Sequence, residues 1–387
     1  MNKKLVIVVS VDWFFLSHRL PLAEEAMKRG YDVVVAAVEE GNKGEQIRNL
    51  GMTFYPLPTT RSGTTLWREI RVMFYLLWVY LRERPDIVHH VAMKPVTYGS
   101  IVARICGVKR VVNALSGMGF LFINKEKTTW IHRLLRLGFR FGFRNRNIHF
   151  ILQNEDDFRL VNEIGVLDPK QLYMIKGSGV NLEKYPYSVE PPAEKLKILL
   201  PARMLWDKGV GEFVRAAEQL FPKYGHMAEF VLCGGYDEGY RLRIEEEELQ
   251  KWHDQGKINW IGYQSDMPHV LAQAHIVVLP SYREGLPKSL IEACSIGRPI
   301  VTTDVPGCRA VVDDGVNGYL VPCRNRQLLA EAIEKLILDR NLRIRMGKAS
   351  RDKAEHLFSL TQVVDQTFTI YEEEDPQIKF AGLNPAI

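Results

Sequence analysis

Short runs rich in β-branched residues recur along this chain with helical segments between them. A chain so patterned has few ways to fold other than as parallel α/β sheets. The first half carries LVIVVS (Leu5–Ser10), DVVVAAV (Asp32–Val38), TFYPLP (Thr53–Pro58), DIVHHV (Asp86–Val91), RVVNAL (Arg110–Leu115), HFILQN (His149–Asn154) and LYMIK (Leu172–Lys176). The second half carries KILLPA (Lys197–Ala202), EFVLCGG (Glu229–Gly235), INWIG (Ile258–Gly262), HIVVLP (His275–Pro280) and PIVTT (Pro299–Thr303). Most are apolar at consecutive positions, as strands covered by helices on both faces are. Between the two sets, SVEPPAEKL (Ser188–Leu196) combines a proline pair with charges and reads as a linker. The pattern predicts an N-terminal domain over residues 1–187, a linker over 188–196 and a C-terminal domain over 197–358. A last helical pattern runs from Ser359 to about Glu374 and ends in a tail, so that 359–387 forms a closing segment.

Composition narrows the function. Five cysteines, odd in number and with no C-x-x-C pair, point to a reducing compartment and against a disulfide framework or a zinc site. The opening MNKKLVIVVSV imitates a signal peptide, but its apolar run stops at Asp12 without a small-residue cleavage site, which suits a first parallel strand better. The longest apolar run, Val72–Leu81, is too short to span a bilayer and is flanked by Arg71 and Arg82. The net charge of +5 hides an asymmetry: residues 1–185 carry 27 Lys+Arg against 17 Asp+Glu, a balance of +10, and the remainder carries 24 against 29, a balance of −5. A basic N-terminal half suits nucleic acid, anionic lipid or a phosphorylated substrate. No nucleic-acid motif is present, which leaves the last two.

The richest chemistry lies in YREGLPKSLIEA (Tyr282–Ala293), where Glu284 and Glu292 stand eight residues apart across a Gly285-Leu286-Pro287 turn. Glu284 falls where a strand meets a helix, and Glu292 lies roughly two turns further on. In open α/β sheets ligands bind outside the carboxyl ends of strands, so one ligand can reach both carboxylates. The plainer reading is a helix start with an acid in its first turn. Upstream, the strand LKILLPA runs into Arg203 and Lys208, two cations placed before a helix to hold a phosphate, or else ordinary surface charges. AEFVLCGGYDE ends in Gly234-Gly235, which lets backbone approach a ligand, and a turn at Gly262-Tyr263-Gln264 follows.

The order and identity of these pieces resemble the retaining glycosyltransferases of family 4, which have the GT-B fold of two Rossmann-like parallel-sheet domains facing a cleft. The resemblance is strongest over Leu196–Asp339 and includes DDGVNGYLVP (Asp313–Pro322). It extends to bacterial enzymes that add sugars to undecaprenyl-diphosphate-linked oligosaccharides, such as N-acetylgalactosaminyltransferases. It implies a UDP-hexose or UDP-N-acetylhexosamine donor bound as substrate, with no cofactor and no metal. It implies that Arg203 and Lys208 stabilise the leaving diphosphate and that Glu284 holds sugar hydroxyls. Glu292 would hold the ribose. Gly234, Gly235, Tyr263, Gln264, Gly285, Leu286 and Pro287 would line the donor. In this fold a C-terminal helix commonly crosses back onto the N-terminal domain.

The N-terminal half departs from the family pattern. Where many members carry a glycine pair after the first strand, this chain has Asp12-Trp13 and Ser17-His18-Arg19. His18 and Arg19 thereby become candidates for the acceptor diphosphate or the reacting sugar, or else cap a helix. In DIVHHV, strand alternation points His89 and His90 to opposite faces. His90 is either an acceptor contact or a satisfied core histidine. Lys94 in the next loop is a candidate for an anionic acceptor, and Gly117 and Gly119 in NALSGMGF resemble the family's cleft loop.

The segment TWIHRLLRLGFRFGFRNR (Thr129–Arg146) is amphipathic at helical period. Arg133, Arg136, Arg140 and Arg144 make one stripe; Trp130, Leu134, Leu137 and Phe141 make another, widened by Phe139 and Phe143. It reads as a contact with an anionic membrane surface or as a core helix with a basic edge. The expectation is a peripheral enzyme on the cytoplasmic face of the cell membrane, taking a polyprenyl-diphosphate-linked saccharide as acceptor. The rivals are a sugar-nucleotide epimerase of the same fold, a glycosyltransferase with a soluble acceptor, and a nucleotide-sugar-binding scaffold without activity.

Overall fold

The structure is a computed structural model that describes residues 3–59, 66–115, 143, 147–164, 167–237 and 239–373. The chain divides into two compact units, the first running to Ser178 and resumed by the segment from Val363, the second spanning Gly179–Gln362.

In the first unit, β1 (Lys4–Val11), β2 (Asp32–Val38), β3 (Thr53–Pro56), β4 (Ile87–Val91), β5 (Arg110–Leu115), β6 (Ile148–Leu152) and β7 (Leu172–Met174) form one sheet in the order β3-β2-β1-β4-β5-β6-β7. All its pairings are parallel. Leu5 to Val9 are wholly inaccessible, because helices lie on both faces, as parallel crossovers require. The helix Leu360–Glu372 joins this unit from Val363 onward, where the Arg110 guanidinium donates to the Glu373 carbonyl at 2.7 Å and Arg29 pairs with Asp365 at 2.9 Å.

In the second unit, β8 (Leu196–Pro201), β9 (Ala228–Cys233), β10 (Asn259–Trp260), β11 (Ile276–Leu279), β12 (Ile300–Thr303) and β13 (Gly318–Val321) form a parallel sheet in the order β10-β9-β8-β11-β12-β13. Both sheets thus have the Rossmann arrangement. Strand order reverses beside the first strand, between β1 and β4 and between β8 and β11, opening a crevice at the carboxyl ends there.

Three details correct or sharpen the sequence reading. The second unit begins at Gly179, not after a linker at 188–196. Val180 already pairs with Ser359, and the Arg298 guanidinium donates to the Ser188 carbonyl at 2.8 Å, so the Pro-rich stretch is fastened to the second unit. β13 was not foreseen, because its four residues include a glycine and half-buried Tyr319 and Leu320. Phe143, on a segment read either as a membrane contact or as a core helix with a basic edge, is a core residue packed edge-on against Phe150 at 4.8 Å. The remainder of the stripe, Trp130, Arg133, Arg136, Arg140 and Arg144, lies outside the described residues, as do Gly117 and the chain beyond Glu373. Among the described residues no helix is long and apolar enough to cross a membrane.

Candidate active site

The crevice of the second unit is assembled by loops pressed together where side chains are absent. After β8 the chain makes a short helical turn, Trp206–Lys208, and passes Gly209 at φ +72° into the helix Val210–Tyr224. A Cβ on Gly209 would stand 2.1 Å from the Pro280 carbonyl oxygen, so only glycine lets this loop lie on the end of β11. The Tyr282 N–H donates to the Asp207 carbonyl at 2.9 Å and ties the two loops together. Lys208 Nζ is thereby delivered to Glu284 Oε1 at 2.6 Å. Ser281 Oγ, fully buried, donates to the same oxygen at 2.7 Å, and the Thr303 hydroxyl donates to the Ser281 carbonyl. From the short helix after β12, Pro306–Arg309, Gly307 approaches so closely that a Cβ there would meet the Gly285 carbonyl at 2.5 Å. Glu284 is thus held by the ends of β8, β11 and β12 at once.

Arg203 leaves β8 toward the loop after β9. Its Nη1 donates to Asp237 Oδ2 at 2.7 Å and its guanidinium lies 5.3 Å from the Tyr240 ring centre. Asp237, two residues beyond the glycine pair, carries no local sequence signal that marks it as a partner of Arg203. Gly234 was expected to offer backbone to the donor, and the structure corrects this. Its N–H donates to Gly262 at 2.8 Å, its carbonyl accepts from Trp260 Nε1 at 2.9 Å, and a Cβ would stand 1.8 Å from the Ala202 oxygen. Gly234 is required where the chain leaving β9 passes against the end of β8, and its polar groups are already used. The carbonyl of Gly235 accepts from Met204 N–H at 3.1 Å. Tyr263 is exposed, while Gln264 turns back to donate to the Ile261 carbonyl at 2.6 Å.

Gly285, Leu286 and Pro287 lead into the helix Lys288–Ile296, with Pro287 at its N-cap. The first amides of such a helix and its dipole favour an anion. Glu292 projects from this helix into a buried position beside Lys288 Nζ, 3.7 Å away, and the Tyr185 hydroxyl. Burial raises its carboxyl above the ordinary value, against the pull of Lys288. A carboxylate so poorly solvated gains most from hydroxyl donors, such as those of a ribose. Tyr185 and Lys288 were not singled out from sequence, since nothing in their local pattern marks them.

The first unit gives a different result. His90 is fully buried, with Nε2 at 2.7 Å from the Tyr80 hydroxyl and Nδ1 at 2.8 Å from Asn113 Oδ1. It is the satisfied core histidine, not an acceptor contact, and burial lowers it to about 4. Arg19 is also buried, which brings its guanidinium down to about 10, and its Nε has no hydrogen-bond partner. Lys94 pairs with Glu69 at 2.8 Å and stays half exposed. His18 stacks on Phe14 with ring centres 4.2 Å apart and bonds Ser17 Oγ at 2.7 Å. Among the described residues no group of three or more His, Cys, Asp or Glu side chains is arranged to hold a metal ion.

Two family models match in tandem and together span most of the chain: a glycosyl transferase 4-like model over residues 4–151 and a glycosyl transferases group 1 model over residues 183–353. Among curated proteins, the chain is 29% identical to the N,N'-diacetylbacillosaminyl-diphospho-undecaprenol alpha-1,3-N-acetylgalactosaminyltransferase of Campylobacter jejuni, over 88% of this chain and 94% of that one. It is 25% identical to the UDP-Gal:alpha-D-GlcNAc-diphosphoundecaprenol alpha-1,3-galactosyltransferase of Escherichia coli, over 88% and 89%. Among solved structures, HepE of Anabaena in complex with UDP superposes with a TM-score of 0.74 at 16% identity, covering 94% of this chain and 98% of that one. Sucrose-phosphate synthase of Thermosynechococcus elongatus does so with a TM-score of 0.76 at 17% identity, covering 98% and 100%. These two likenesses establish the fold. The chain is a glycosyltransferase of the GT-B fold and belongs to family 4.

Proposed function

We propose that the protein transfers a hexose or N-acetylhexosamine from a UDP-sugar to an undecaprenyl-diphosphate-linked saccharide in bacterial glycan assembly, with retention at the anomeric carbon. The observation that carries this reading is the Lys208–Glu284 pair at the β8–β11 switch point, 2.6 Å apart, with Arg203 on the same strand's exit. An ammonium has three protons and Glu284 takes one, so Lys208 keeps donors for a phosphate while Glu284 keeps lone pairs for a sugar hydroxyl. When the bond from the anomeric carbon to the diphosphate breaks, the electron pair goes to UDP. Lys208 and Arg203 stabilise that charge as preorganised donors. The acceptor hydroxyl bonds to the anomeric carbon from the same face and passes its proton to the departing phosphate oxygen. Glu292 anchors the ribose, and the first amides of its helix face the diphosphate. No step needs a metal, since the two cations supply the positive charge.

The lipid-linked acceptor is supported by the two curated relatives, both named for acceptors carrying diphospho-undecaprenol. It also suits the basic balance of the first half of the chain. A peripheral enzyme on the cytoplasmic face of the cell membrane follows from such an acceptor.

The test is a panel of radiolabelled UDP-Gal, UDP-GalNAc, UDP-Glc and UDP-GlcNAc with undecaprenyl-diphosphate-linked saccharide, with and without excess EDTA. Transfer from at least one donor, unaffected by EDTA, is expected. A changed sugar on UDP without any acceptor would show an epimerase instead, and transfer that needs added Mn²⁺ would overturn the metal-free step.

A further inference from the structure

The helix Leu66–Glu83 is apolar on two sides. One side is the ordinary core face: Val72, Leu76, Val79 and Tyr80 are buried against the first sheet. On the other, Trp67 is 78% exposed, Phe74 67%, Trp78 46% and Leu81 59%. Their spacings of seven, four and three residues place them on one stripe about 21 Å long, at 1.5 Å per residue. A helix with one face already in a core should present polar residues there. Two tryptophans on such a face have amphipathic rings of the kind that settle at a lipid headgroup boundary.

The charges select the partner. Of the helix's two acids, Glu69 is engaged by Lys94 at 2.8 Å, and Glu83 by Lys4 at 2.7 Å and by the Tyr55 hydroxyl at 2.5 Å. Arg68, Arg71, Arg82 and Arg84 are exposed, with Arg71 on the stripe between Trp67 and Phe74. The surface is therefore aromatic along its crest and cationic along one flank, the complement of an anionic bilayer interface. We propose that the outer face of the helix Leu66–Glu83 is the surface by which this enzyme lies on anionic lipid, with Trp67, Phe74 and Trp78 inserted among the headgroups. The inference rests on the reading of a lipid-linked acceptor, and adds the element that meets the membrane. From sequence alone this helix showed only as the longest apolar run, too short to span a bilayer.

The test is co-sedimentation of the full chain with vesicles of phosphatidylcholine alone and of phosphatidylcholine with 30% phosphatidylglycerol, where wild type should bind the second. Two pair variants separate the contributions: Trp67→Ser with Phe74→Ser, and Arg68→Gln with Arg71→Gln. Each arginine near an anionic surface is worth about 5-fold, so the arginine pair should bind about 25-fold more weakly at low salt. The aromatic pair should lose about 10-fold or more at any salt. Both should keep the wild-type melting temperature and UDP affinity, and brominated lipid should quench wild-type tryptophan fluorescence more than that of the aromatic pair. Wild-type binding that survives in both variants would overturn the assignment of this helix while leaving a membrane-bound enzyme intact. No binding of wild type to anionic vesicles would overturn both. An aromatic pair that dissociates an oligomeric wild type would show that the face meets a second copy of the chain instead of lipid.

Discussion

At the carboxyl ends of β8 and β11, cations and carboxylates meet face to face; at the carboxyl ends of β1 and β4, the corresponding polar groups turn inward. The two units share one strand order, so the difference lies in what packs the loops. In the second unit Gly209, Gly234 and Gly307 each occupy a spot where a Cβ would strike backbone. That pins the loops together and holds Lys208 and Glu284 at the surface of the crevice, one-fifth and one-tenth exposed. In the first unit Gly99 packs against His90 itself, within 2.3 Å of where a Cβ would be, and the imidazole is closed in between Tyr80 and Asn113. A glycine can thus present a polar residue or bury it, and the neighbouring strand end decides which.

The largest effect should come from breaking the second-unit cluster. Lys208→Ala or Arg203→Ala should lower turnover at saturating donor by on the order of 10²–10³, the loss typical of one donor to a developing oxyanion. Lys94→Ala, which breaks only a half-exposed pair with Glu69, should change it by less than about 5-fold. Because Lys208→Ala also strands Glu284 in a largely buried position, thermal melts must accompany the assay. Equal losses in Lys94→Ala and Lys208→Ala would erase the contrast between the units.

A smaller effect separates the units by pH. His90 is held at about 4 by burial against an unfolded value near 6.5, and His149, also buried, at about 4. A depressed histidine stabilises the fold above its unfolded value, and that stability is lost as pH falls from about 6.5 toward 4. For His90 alone the loss between pH 7 and 5 is about 2 kcal/mol. His89 is also driven well below its ordinary value by burial, and in the second unit burial lowers His275. Hydrogen exchange, corrected for its intrinsic pH dependence, should therefore show β4 and β5 losing protection before β8 and β11 on acidification. Parallel loss in both sheets would contradict it.

The same contrast explains what could be read before the structure. Strands announced themselves, because β-branched runs such as Asp32–Val38 and Arg110–Leu115 need no partner to be recognised. Residues of the second-unit site were legible through the family resemblance, since spacing alone left Glu284 and Glu292 open as helix-start acids and Arg203 and Lys208 as surface charges. Their partners were not: Asp237, Ser281 and Tyr185 reach the site through tertiary approach, which local spacing does not encode. For His90 the sequence supported both a core and a site reading, because burial depends on Tyr80 and Asn113 from other elements. Gly234 misled for a related reason: a glycine marks close approach, but not whether the neighbour is a ligand or another strand.

The most direct test of the donor site is calorimetric titration of UDP and of the intact UDP-sugar into Glu284→Ala and Glu292→Ala. Glu292 lies buried on its helix and is assigned the ribose, so Glu292→Ala should weaken both ligands by about 10- to 100-fold, as expected for a lost bond to a charged group. Glu284, beside Lys208, is assigned the sugar, so Glu284→Ala should weaken the UDP-sugar by a similar factor and UDP far less. Equal losses for both ligands in both variants would contradict the account, because the two carboxylates would then not be reading different ends of one donor.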